Sequence, residues 1–137
     1  SSVTILGGKM KLFFTVIIPL SLLMLNACAF NVQHMKQIPA ELKDNGKCTE
    51  SFVLEQDVKV SVGPIYTRVL KQNTRWYCVG IITQGKVFKT RDQVLTVEAN
   101  NVYEAHIVMT GNTLVGFYLP VEKTFTPIGT PKKLIKK

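Results

Sequence analysis

A small all-β domain, an antiparallel barrel or sandwich of about seven strands, is the fold that the chain predicts from residue 51 onward. Three features point to it. From Phe52 the residues become β-branched and aromatic in short runs. Turn-forming pairs separate these runs at regular intervals, and two cysteines, Cys48 and Cys78, stand where one disulfide would staple a small core.

The runs are Phe52 to Val60, Ile65 to Lys71, Arg75 to Thr83, Lys86 to Thr90, Gln93 to Glu98, Val102 to Thr110 and Thr113 to Val121. Gly63-Pro64, Gln72-Asn73, Gln84-Gly85, Asn100-Asn101 and Gly111-Asn112 punctuate them. Before the first run, Pro39 to Lys43 allows one helical turn that Asp44-Asn45-Gly46 would break. No internal repeat or low-complexity stretch interrupts the pattern.

Two hairpins can be placed in register. Gly111-Asn112 fits a two-residue II′ loop in which glycine takes the positive φ, so Thr110 faces Thr113. That register sets Met109 opposite Leu114, Ile107 opposite Gly116 and Ala105 opposite Tyr118. For the preceding hairpin, a three-residue loop, Ala99 to Asn101, with an asparagine in the left-handed region places Leu95, Val97, Tyr103, Ala105 and Ile107 on one face. A loop one residue shorter would mix polar with apolar side chains. The opposite face then carries His106, Val108, Val115, Phe117 and Leu119, a semi-apolar patch that reads as a partner-binding surface.

Catalytic or metal-binding spacings do not stand out. The two histidines are His34 and His106, and GxSxG, HExxH and CxxC are missing. The register puts Val94 beside His106, which leaves Glu104, two residues away, as the one group that could share a proton or a metal with it. Such a pair is more often a solvated strand face. Trp76, next to Cys78, reads as core packing rather than a stacking platform. The expectation is therefore of no catalytic residue, no metal and no cofactor.

The N-terminal part sets the location. Lys11 precedes an apolar run, Leu12 to Leu25, that is too short to span a bilayer comfortably and suits the h-region of an export signal. The run ends in Leu25-Asn26-Ala27-Cys28, which resembles the lipobox of bacterial prolipoproteins. The resemblance implies cleavage after Ala27 and lipidation of Cys28. Ala29, in place of an aspartate, implies sorting to the periplasmic face of the outer membrane. Gly7-Gly8-Lys9-Met10 is what a translated ribosome-binding site before a start codon would give, so residues 1–9 are expected to be non-native upstream translation.

The expected organisation is thus 1–9 upstream translation, 10–27 signal peptide, 28–50 lipidated tether and lead-in segment, 51–128 β domain and 129–137 basic tail. Cleavage would leave 137 − 27 = 110 residues, enough for one small domain. With Lys9 and Lys11 gone, 17 − 2 = 15 basic residues against 9 acidic ones give a formal +6. This favours anionic surroundings, and a lipid-tethered chain would not meet nucleic acid. With Cys28 lipidated, Cys48 and Cys78 can pair in an oxidising compartment. In the tail, Lys132, Lys133, Lys136 and Lys137 can lie on an anionic membrane surface with Leu134 and Ile135 inserted shallowly, although a disordered solubilising tail is the simpler expectation.

The functional expectation is a non-enzymatic interaction or assembly module, held to the membrane by its lipid and bound to an envelope protein. The alternatives are an inhibitor or exclusion lipoprotein that binds an attacking enzyme or a receptor, and a small-ligand carrier or enzyme.

Overall fold

The computed structural model describes residues 35–44, 47–64 and 66–137. The expected upstream residues, the signal peptide, Cys28 and the tether through residue 34 lie outside the described residues. Eleven strands follow in order: β1 (Ile38–Pro39), β2 (Ser51–Val53), β3 (Val58–Val62), β4 (Tyr66–Leu70), β5 (Arg75–Ile82), β6 (Gly85–Thr90), β7 (Thr96–Glu98), β8 (Val102–Glu104), β9 (His106–Thr110), β10 (Thr113–Leu119) and β11 (Thr124–Lys133). The all-β expectation and the Cys48–Cys78 disulfide are both present.

Seven strands form one antiparallel sheet in the order β1-β11-β10-β9-β6-β5-β2, and β3–β4 and β7–β8 form two separate hairpins. The sheet closes on itself. Beyond β11 the chain reaches back to β2. Lys137 N–H donates to the Val53 carbonyl at 2.9 Å, Val53 N–H to Lys137 at 3.3 Å, and Glu55 N–H to Ile135 at 2.9 Å. Closure removes the exposed edges that an open sheet would offer to other chains.

The interior is filled by side chains from every wall. Phe52, Leu54, Trp76, Phe88, Ile107, Met109, Leu114, Phe117, Leu119 and Leu134 are buried in one cluster. Val60, Val62 and Leu70 from one hairpin, with Leu95 and Val97 at the other, complete it. A second, smaller cluster lies on the outer face: Ile82, Val87, Val108, Tyr118 and Phe125, packed with Ile38, Ala40, Leu42, Val79 and Val115. The lead-in segment is therefore a strap rather than a helical turn. It pairs with β11 at Ile38 and Pro39, then bridges Lys43 to Ile81 of β5, covering apolar side chains that would otherwise face water.

Several boundaries differ from expectation for identifiable reasons. The run Phe52 to Val60 splits into β2 and β3 around Glu55–Asp57, and Val102 to Thr110 splits at Ala105. The largest correction is at the C-terminal side. Residues 129–137 are not a free tail but the end of β11 and the seam of the barrel. Leu134 is buried in the core and cannot insert into a membrane. Pro127, Pro131 and the lysine pair hide this strand from a propensity reading, because they sit around a bulge where backbone pairing lapses: Gly116 pairs Pro127, whereas Leu114 pairs Lys132.

A second bulge overturns the patch. Thr110 faces Thr113 and Met109 faces Leu114 as expected, and Gly111 has φ 58° as a II′ turn requires. Val115 is then an extra residue, so Gly116 faces Val108, Phe117 faces Ile107 and Tyr118 faces His106. This one-residue slip exchanges faces for everything beyond it. Phe117 and Leu119 enter the barrel core; Val108 and Val115 join the strapped cluster. Phe117 is 1% exposed and His106 9%. His106, Val108, Val115, Phe117 and Leu119 thus do not form a docking surface. The three-residue Ala99–Asn101 loop is present, with Val97 opposite Tyr103, but its asparagines do not take positive φ. Among the described non-glycine residues, Asn73 and Lys123 do so instead.

Candidate functional site

The segment between β6 and β7 crosses one end of the barrel and forms a cleft of about 470 Å³ with Glu104, Ala105 and His106. Its walls are held by hydrogen bonds to the neighbouring strands. The Arg75 backbone N–H donates to Asp92 Oδ2 at 2.7 Å, and that of Lys71 to Gln93 Oε1 at 2.8 Å. Gln93 Nε2 donates to the Val69 carbonyl at 3.3 Å, Arg68 Nη2 to the Val94 carbonyl at 2.6 Å, and Thr90 Oγ1 to the Arg75 carbonyl at 2.7 Å. A loop tied at so many points holds its shape without a ligand.

His106 lies in the cleft wall. The register Phe88 opposite Ile107 places Lys89 across from it on β6, and Tyr118 is its neighbour on β10. The sequence expectation of Val94 as its neighbour fails because the pairing stops one residue short of it: Thr96 is opposite Glu104, Ala105 N–H donates to the Leu95 carbonyl at 3.2 Å, and the Val94 carbonyl is taken by Arg68 instead. Val94 is 76% exposed, although it lines the same cleft. Burial lowers the imidazole pKa below its ordinary value. The Glu104 carboxylate opposes that shift, the Lys89 ammonium adds to it, and the Ala105 backbone acceptor opposes it. His106 is therefore a neutral hydrogen-bonding group near pH 7. The Tyr118 hydroxyl is pushed up by burial and stays protonated.

Trp76 is fully buried, with Nε1 donating to Thr74 Oγ1 at 2.8 Å, as core packing requires. Tyr77, on the outer face, is exposed, and Arg91 lies over its ring at 6.0 Å. Lys89 and Arg91 were not marked by any motif. Only the β6–β9 register could have found Lys89. Among the described residues there is no group of three metal-ligating side chains.

The lysines of the last segment divide. Lys136 sits over the Phe52 ring at 4.8 Å and helps to seal the core, while Lys132, Lys133 and Lys137 are exposed. Lys132 lines a second groove, of about 420 Å³, with Lys59, Ser61 and Thr130. Lys86 and Glu50 form an exposed ion pair between β6 and the residue preceding β2. Comparison with protein-family models, curated proteins and solved structures finds no match for the chain.

Proposed function

We propose that the protein is a non-enzymatic binding module of the bacterial envelope, anchored by a lipid at Cys28 on the periplasmic face of the outer membrane. The observation that carries this reading is the Cys48–Cys78 disulfide, whose Cα atoms are 5.6 Å apart, because it ties the segment following the lipobox-like sequence to the barrel wall. Disulfides persist in oxidising compartments, which the export signal would reach. Two or three acyl chains would make attachment effectively permanent. The barrel interior is filled by side chains, so binding falls to the outer surface. Lys132, Lys133 and Lys137 supply cationic contact with an anionic membrane or partner.

Labelling with an alkyne palmitate tests the anchor. The native chain is expected to be labelled and membrane-bound. Cys28→Ser is expected to be unlabelled, with residual attachment that high salt removes. A Cys28→Ser chain that remains processed and labelled would refute the anchor. Crosslinking in membranes followed by purification tests the module. A stoichiometric envelope partner supports it; a foreign or host enzyme would favour an inhibitor instead.

A further inference from the structure

The cleft beside His106 has a fixed wall, and its unused groups carry both signs of charge. Asp92, Gln93 and Thr90 spend their polar atoms on holding the loop in place. What remains is Lys89 across from His106, Glu104 two residues before it, and Arg91 at the rim over Tyr77. Neither the Lys89 nor the Glu104 side chain makes an ion pair or a hydrogen bond in the described structure. They line the cleft together with His106, a residue nine-tenths buried, without pairing with each other. Two opposite charges that flank a hydrogen-bonding wall in a fixed cleft are complementary to a ligand that carries both charges itself.

We infer that this cleft binds a short peptide with a free ammonium and a free carboxylate, the carboxylate held by Lys89 and Arg91, the ammonium by Glu104, and the backbone between them hydrogen-bonded to His106. Size supports two residues. An extended dipeptide spans about 7 Å and can lie within the cleft. Pockets of about 300–1,000 Å³ take small molecules, and the cleft of about 470 Å³ lies in that range. The site does not depend on the anchor, so it stands or falls separately from the envelope reading.

The test is calorimetric titration of the full chain in detergent with three probes: L-alanyl-L-alanine, its N-acetyl derivative and its C-terminal amide. Trp76 is the sole tryptophan and lines the cleft, so its emission reports whether heat comes from this site. The free dipeptide is expected to bind saturably and to change Trp76 emission, while each derivative binds about tenfold or more weakly, because each leaves a charge unpaired. Lys89→Met is expected to weaken the free dipeptide by a similar factor. Glu104→Gln is expected to remove the preference for the free amine over the acetylated form. Both side chains are exposed, so neither change should alter the fold, and unchanged Trp76 emission in the unliganded variants checks this. Equal binding of the acetylated and free peptides to the native chain would overturn the two-charge assignment. Absence of saturable binding by all three would overturn the site.

Discussion

At the scale of single residues, His106 and Phe117 make opposite demands on water. His106 folds neutral because burial disfavours its charge, so its folded pKa lies below the unfolded value of 6.5. Between those two values the unfolded chain holds more protons than the folded one. Stability is therefore fully present above 6.5 and is lost as pH falls through the folded pKa. Denaturant midpoints are expected to rise from pH 5 to 7.5, and His106→Gln is expected to flatten that part of the profile. An unchanged slope would remove His106 as its source. Phe117 touches no water and packs with Ile107 and Leu119 in the barrel core. Phe117→Ser is expected to destabilise the fold by at least about 3–5 kcal/mol, since it opens a cavity and buries a hydroxyl. Urea unfolding would measure it, and a near-neutral result would contradict the inward placement.

At the scale of elements, the two bulges decide what can be read from the sequence. The Gly111-Asn112 turn and the Ala99–Asn101 loop were legible because turn chemistry and alternation agree there: Thr110 meets Thr113 and Val97 meets Tyr103. Beyond Leu114 alternation misleads, because the extra residue Val115 leaves no compositional mark. Leu114 and Phe117 read as opposite faces yet share the core. The reason lies in a different strand. A Cβ at Gly116 would run into the Thr126 carbonyl and the Phe125 ring, so β11 sets the position of the bulge. Gly116→Ala is thus expected to destabilise by roughly 1–3 kcal/mol through overpacking, although alanine suits strands better than glycine does. Equal or greater thermal stability of the variant would show that β11 gives way. β11 itself was missed for a related reason. Its prolines and lysines deny it strand character, and only pairing with β10 and β1 confers it. The cleft was half legible: Glu104 and His106 adjoin in sequence, whereas Lys89 joins them only through the β6–β9 pairing.

At the scale of the whole molecule, one covalent bond and one noncovalent seam hold the barrel. Cys48 and Cys78 close a loop of sequence separation 30 between the strap and β5. Cys48→Ser is expected to lower stability by about 2–4 kcal/mol. Neither cysteine of the native protein is expected to react with maleimide until reductant is added, and free thiols at both positions in protein purified without reductant would refute the pairing. The seam joins residues 53–55 to 135–137, distant in sequence but hydrogen-bonded in the fold. Strand β2 gains its outer partner only when the segment after Leu134 is in place, a long-range contact of the kind that slows folding. A chain cut short after β9 would keep an unzipped sheet with Phe52 and Trp76 open to proteases.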